Sequence, residues 1–221
     1  MDLKTVKAYW DNVFSSEKNS APRTKSIGNE TLDRALDWVC EGAHCMLDFG
    51  CGNGITLYLS AMRGTKKHVG IDLSSEGIAK AARLFKENLN CGEGEFTDGG
   101  VELLADIKTH SMDGAILFNV ADNLVPTDAA FLIMETARIV KPCCRVLVKL
   151  NPYLSKEQID AWNIKTVEGD LLDDGLFLWN KDTAFWRSIL TPYFTIEEEA
   201  DVYYEEHEQH NRLLFLKVHD R

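Results

Sequence analysis

Glycines at positions 50, 52 and 54 stand in the run LDFGCGNG, residues 47–54, between an apolar segment and a helical one. Glycine lets backbone pass close to a ligand, and the start of a helix carries N–H groups without intrahelical partners. A turn of this kind accommodates part of a nucleotide-like cofactor. About 20 residues beyond the glycines the run HVGIDLS ends in Asp72, where a carboxylate can accept hydrogen bonds from ribose hydroxyls. The glycine spacing is G-x-G-x-G, not the G-x-G-x-x-G of dinucleotide folds, and Asp48 precedes the first glycine by two. Taken singly, Asp48 also reads as an ordinary loop acid and Asp72 as the N-cap of a helix beginning near Ser75. Their joint placement favours the ligand site.

The elements that must hold these residues alternate. From His44 onward, CMLDF, HVGID, MDGAILFNV and CRVLVKL are short apolar runs, and amphipathic stretches at Ile55–Met62, Glu76–Leu89 and Ala129–Val140 separate them. Such alternation predicts right-handed crossovers, a mostly parallel sheet with helices on both faces, and a ligand at the carboxyl ends of the strands. Two helices are expected before it, at Asp2–Phe14 and about Asn29–Cys40, joined by a polar loop. Tyr193–Tyr204 and Leu213–His219 read as a terminal antiparallel hairpin across EEHEQHN. The expected architecture is a Rossmann-like three-layer α/β sandwich, a mostly parallel seven-stranded sheet with a C-terminal antiparallel hairpin. Residues 1–221 are read as one domain, with N-terminal lid helices (about 1–42) and an insertion after strand five (about 151–180).

On these motifs the chain resembles the class I S-adenosylmethionine (SAM)-dependent methyltransferases, in order through most of its length. LDFGCGNG is similar to the family's first motif, so the resemblance places Asp48, Gly50, Cys51, Gly52, Asn53 and Gly54 against the cofactor. GIDLS is similar to the segment carrying the ribose acid, implying Asp72 and Leu73. EFTDGG resembles the element that sets an acid beside the adenine amino group, implying Asp98 with Gly99. Asn119, ending the fourth strand, falls where the family lines the methionine half of SAM. VKPCCRVLV resembles the family's loop before strand five, with Cys143 and Cys144 in place of two glycines. YWDNVF is similar to the lid helix of small-molecule members, making Trp10 a candidate cofactor contact and Tyr9 a candidate substrate contact; packing on the sheet edge is the other reading of both.

The implied reaction is in-line methyl transfer from a sulfonium to a nucleophile, in which positioning supplies much of the rate. A general base is needed only if the acceptor must lose a proton. His207 and His210, in the final hairpin turn, are the candidates, although Glu205, Glu206 and Glu208 beside them would raise a histidine pKa and suit a solvated tip better. Residues 151–180 are long for a connection and aromatic, so Tyr153, Trp162 and Trp179 are read either as acceptor contacts or as the insertion's own small core.

A 45% hydrophobic and 27% charged composition belongs to a water-soluble globular protein. A net charge of −11 argues against nucleic acid as partner. Arg63, Lys66 and Lys67, the densest basic cluster, read as a solvated helix-to-strand turn. No run is long enough for a membrane span and the start lacks a signal-peptide core, so a cytoplasmic location is expected, with no membrane partner. Six irregularly spaced cysteines suggest neither disulfides nor a metal site. A small-molecule methyl acceptor fits best; its identity and the oligomeric state are not legible. The competing readings are a non-catalytic SAM-binding sensor or subunit, a protein methyltransferase, and a nicotinamide-dependent oxidoreductase. The last predicts a different glycine spacing and a second domain.

Overall fold

The computed structural model describes residues 3–17, 20–88, 92–205 and 209–220. Helices α1 (Leu3–Ser16) and α2 (Glu30–Cys40) precede the alternating part of the chain. Strand β1 (Cys45–Phe49), α3 (Ile55–Met62), β2 (Lys67–Asp72), α4 (Ser75–Glu87) and β3 (Glu93–Asp98) form the first half. Strand β4 (Met112–Phe118), α5 (Pro126–Ile139) and β5 (Val140–Leu150) follow, with a short 3-10 turn at Val101–Asp106 before them. The seven-stranded sheet is completed by β9 (Phe194–Tyr204) and β10 (Gln209–Val218), giving the order β3-β2-β1-β4-β5-β10-β9. The first five strands are parallel, and β10 runs antiparallel to both β5 and β9. This is the expected architecture.

Strands β1 and β4 are buried on both faces, which is why they read as continuous apolar runs rather than alternating ones. One face packs on Leu32, Leu36, Leu57 and Phe85 of α2, α3 and α4; the other on Leu132 and Ile133 of α5 and on Trp186. Caps fix the helix starts: Asn29 accepts the Leu32 N–H, Ser74 the Gly77 N–H, and Pro126 opens α5. The order of strand addition reverses at β1, with β2 and β3 on one side and β4 and β5 on the other, so a crevice opens at the carboxyl ends of the strands there.

Between β5 and α7 (Thr183–Leu190) lie α6 (Lys156–Ala161) and a separate antiparallel sheet of β6 (Lys165–Glu168), β7 (Leu171–Asp173) and β8 (Phe177–Trp179). Its core is aliphatic, built from Leu154, Ile164 and Leu172. Two further readings are corrected. Arg63 is no solvated turn residue: its side chain is 5% exposed and its guanidinium reaches Asp37, Lys25 O and Leu59 O, binding the segment before α2 to the end of α3. The Cys143–Cys144 pair is no open loop either. Strand pairing already begins at Val140, an irregularity in register absorbs the extra residues, and Cys143 takes φ 60, the left-handed region where a glycine would be unstrained. No helix among the described residues is long and apolar enough to cross a membrane.

Candidate functional site

A cavity of about 280 Å³ opens at the carboxyl ends of β1, β2 and β4. The glycine-rich turn forms its floor, strung onto β2 by its own amides. Gly50 and Cys51 N–H donate to Ile71 O (2.7 and 3.1 Å), Gly52 N–H to Asp72 Oδ2 (2.8 Å), and Gly54 N–H to Cys51 O (2.9 Å). These four turn amides are consumed within the chain. Gly52 and Gly54 both have positive φ, and a Cβ on either would collide, with Phe14 Cζ at 2.6 Å and with Ala81 Cβ at 2.7 Å. The turn is thus glycine-rich because α1 and α4 press against it as much as because a ligand does.

Asp72 lines the cavity and is held rigid: Oδ1 accepts the Ser74 N–H (2.8 Å) while Oδ2 accepts that of Gly52. It does not cap α4; Ser74 does. Burial raises the Asp72 pKa, against the pull of those two N–H donors. Asp48 lies on β1 beneath the turn, fully buried, and burial together with the Asp72 charge pushes it up to about 8. At neutral pH it is mostly protonated.

On the β3 side Leu73, Gly99, Gly100 and Val101 line the cavity. The acid that reaches it is Glu102, which accepts the Gly100 N–H at 2.9 Å. Asp98 is exposed and lies outside the lining, 3.4 Å from Ser75 Oγ.

Asn119 leaves β4 with φ 52 and lines the far side. Its Nδ2 donates to Asn151 Oδ1 at 2.6 Å, while its Oδ1 is buried without a hydrogen-bond partner among the described residues. A buried lone acceptor is costly unless a ligand donor completes it. Behind it, fully buried Asp122 accepts the Asn151 N–H (2.6 Å) and Nδ2 (3.2 Å), and the Arg212 guanidinium binds Asn151 O. Burial pushes Asp122 up to about 6, opposed by the Asn151 N–H and then by the Arg212 charge.

The roof is α1, whose Val6, Trp10 and Phe14 recur at i, i+4 and i+8 on one face. Trp10 and Phe14 stack at 5.9 Å. Asp11, between them, ties α1 to α4 by accepting from Ser74 Oγ (2.7 Å) and the Glu76 N–H (3.2 Å), and Lys7 reaches Ser75 Oγ.

Of the residues singled out in the sequence, Trp10, Gly50, Asp72, Leu73, Gly99 and Asn119 meet around this cavity. Cys51, Asn53 and Gly54 belong to the turn but face its packing; Asn53 bonds Glu17. Tyr9 is exposed on the outside of α1, edge-on to Trp10. Tyr153 and Trp162 are about half exposed on the insertion, and Trp179 turns back onto Phe185 and Trp186. None of these last four lines the cavity. His210 is exposed on β10 against the Tyr203 ring, also away from it, and His207 lies outside the described residues. Glu102, Asp122 and Asn151 carried no signal in the sequence, because only the fold brings them to one place.

The character of the cavity is unusual for a nucleotide site. Among its described lining residues Asp72, Glu102 and Asp128 are acidic, none is Lys, Arg or His, and Trp10, Phe14, Phe49 and Phe118 supply aromatic surface. Three carboxylates with no cation among the described lining residues repel phosphate and favour a positively charged ligand.

Residues 46–143 match the family described as methyltransferase domain. The ubiquinone biosynthesis O-methyltransferase of Neisseria meningitidis serogroup A is 34% identical over 97 residues, which are 44% of this chain and 40% of that protein. The chain therefore spans less than half the length of this curated relative. Three solved structures resemble it along nearly its whole length. The Synechocystis PCC 6803 magnesium protoporphyrin IX methyltransferase with bound SAH has a TM-score of 0.69 at 18% identity, covering 98% of this chain and 100% of that one. The Burkholderia thailandensis 1,6-didemethyltoxoflavin-N1-methyltransferase has 0.72 at 13%, covering 98% and 88%. The cyclase SpnF has 0.72 at 16%, covering 99% and 97%. Residues 46–143 thus match a methyltransferase domain, and the chain shares the Rossmann-like fold of these structures along nearly its whole length.

Proposed function

We propose that the cavity binds SAM and that the protein transfers its methyl group to a small molecule. The observation that carries this reading is the lining itself: three carboxylates, four aromatic rings and no cation. A sulfonium that also bears an ammonium group is stabilised there, whereas the pyrophosphate of a nicotinamide dinucleotide would meet like charge and a turn whose amides are already spent. The residues fit the cofactor part by part. Asp72, fixed by two backbone donors, retains acceptor capacity on each oxygen for a ribose diol. The unpartnered Asn119 Oδ1 accepts from the ammonium of the methionine half. Leu73 and the Gly99–Glu102 turn flank the adenine end, and Trp10 and Phe14 cover the ligand and exclude water.

When bound, SAM supplies an electrophilic methyl carbon on sulfur. The chain's own part is to orient that carbon and keep water from it, which needs no covalent enzyme intermediate. A small acceptor is supported by the roof of α1 over the cavity, by the net charge of −11, and by the small molecules in the names of the three methyltransferase relatives. We read residues 1–221 as one such domain, with α1 and α2 as lid and residues 151–180 as an insertion.

SpnF, named as a cyclase, shares the fold, and a fold fixes neither turnover nor its kind. Binding and turnover therefore need separate tests. Calorimetric titration with SAM, S-adenosylhomocysteine and NAD is expected to give saturable binding of the first two and none of NAD. Binding of NAD alone would overturn the reading. Binding of SAM without methyl transfer to any of a broad acceptor panel would favour a SAM-binding sensor.

A further inference from the structure

Beyond the Phe118 end of the cavity stands a buried amine that cofactor binding leaves unused. Lys149, on β5, pairs in register with Phe118 of β4 and Leu213 of β10. The residue is 9% exposed, and its Nζ lies 5.2 Å from the centroids of both the Phe118 and Tyr204 rings. Among the described residues Nζ makes one hydrogen bond, donating to Tyr204 Oη at 2.7 Å. Burying an ammonium with a single hydrogen bond is costly, and an apolar chain of that length would fill the space without the cost. The faces of the Phe118 and Tyr204 rings offset part of that cost, and one hydroxyl is the other polar partner of the amine among the described residues. Phe118 lines the cavity, so the amine lies one ring away from it.

We propose that Lys149 and Tyr204 form the acceptor end of the site and receive an acidic hydroxyl, phenolic or enolic, on a small molecule seated against Phe118. The proposal rests on the methyltransferase reading above. In the step it describes, Lys149 in its neutral amine form receives the acceptor's proton on the Nζ lone pair as the O–H bond breaks. The oxygen keeps the electron pair and is held as an anion by the ammonium so formed; where the amine is already protonated, the ammonium takes the acceptor directly as its anion. Once the oxygen has taken the methyl group and lost its charge, the ammonium gives its proton up through Tyr204, partly exposed and hydrogen-bonded to the amine, to water. Burial brings the lysine down to about 8, opposed by the charge of Asp122; Phe118, Leu213 and the Tyr204 ring present no charge to it from the adjacent strands. An amine in that range and an acidic hydroxyl exchange a proton at little cost.

The test uses 4-nitrophenol, whose anion absorbs visible light and whose neutral form does not, at a pH about one unit below its own pKa, with S-adenosylhomocysteine titrated in parallel. The full chain is expected to bind the probe as its anion. Lys149→Met, which keeps the bulk of the chain, is expected to lose the anion band at least tenfold in affinity while binding S-adenosylhomocysteine within twofold of the parent. Tyr204→Phe is expected to keep the band with an intermediate loss. No anion band in the parent protein, or a band unchanged in Lys149→Met, overturns the proposal. An anion band that depends on Lys149 in a protein that does not bind S-adenosylhomocysteine would sustain the anion site and sink the cofactor reading instead.

Discussion

Gly52 donates its backbone N–H to Oδ2 of Asp72 at 2.8 Å, joining the glycine-rich turn to the acid that ends β2. The two features of the sequence that point to a cofactor are thus one structural unit. Removing the carboxylate strips the ribose of its acceptor and releases the turn. Hydrogen bonds to a charged group are worth roughly 1.5–3 kcal/mol. Asp72→Ala is therefore expected to weaken S-adenosylhomocysteine binding by about 10- to 100-fold or more, since each 1.4 kcal/mol is about tenfold. Calorimetry on a variant whose circular dichroism matches the parent measures it, and unchanged affinity would remove Asp72 from the site.

Asp48 gives a pH dependence of opposite sign to that of a usual paired carboxylate. Its pKa in the folded protein is about 8, against 3.8 in the unfolded chain, because burial and the charge of Asp72 disfavour its anion. Between those values the folded state binds the additional proton, so this group's contribution to stability falls as pH rises from about 4 to about 8. Asp48→Asn keeps the shape and cannot ionise. Its melting temperature should gain on that of the parent as pH rises through this window, and a gap that is flat with pH would show that Asp48 is ionised throughout.

The alternation of apolar runs and amphipathic helices was enough to read β1, β2, β4 and β5, since β1 and β4, buried on both faces, leave few polar positions to confuse the period, whereas β3 is exposed along most of its length and was legible only through the resemblance of EFTDGG. The terminal hairpin was legible too, although β10 begins at Gln209, so Gln209, His210 and Asn211, read as turn, belong to the strand. Asp72 was legible because its place is set by local chain geometry, a strand end beside a glycine turn. Glu102, Asp122, Asn151 and Lys149 were not, because each acquires its neighbours through sheet order. Asp122 meets Asn151 only because β4 lies beside β5, and Lys149 meets Tyr204 only because β10 and β9 fold back on that edge. Arg63 misled for the same reason: its acceptors come from the segment before α2 and from α2 itself.

Cys143 holds φ 60 at the irregular start of β5, a position where L side chains are strained by roughly 1 kcal/mol. A Cβ-free residue removes that strain. Cys143→Gly is expected to stabilise the protein, raising the melting temperature by about 2–4 °C for a chain of this size. Cys143→Ser retains the Cβ and should leave it unchanged. Equal shifts in both variants would mean that the thiol, not the backbone, sets the effect.

Asp11 fastens α1 over the cavity, and its pKa of about 2 reflects hydrogen bonds from Lys7 and then Ser74 that favour the anion. A carboxyl depressed in this way stabilises the docked helix above its ordinary pKa of 3.8 and loses that contribution as pH falls toward about 2. The side chain is 29% exposed, so screening keeps the effect modest and confined to the helix rather than the whole fold. Asp11→Ala removes the acceptor for Ser74 Oγ and the Glu76 N–H but leaves Trp10 and Phe14 in place. We expect cleavage within α1 by a limiting amount of protease to accelerate several-fold, and S-adenosylhomocysteine binding to weaken by about three- to tenfold, while the melting temperature moves little. Binding and cleavage both unchanged would mean that the aromatic contacts alone, Phe14 against Gly52 foremost, hold the roof closed.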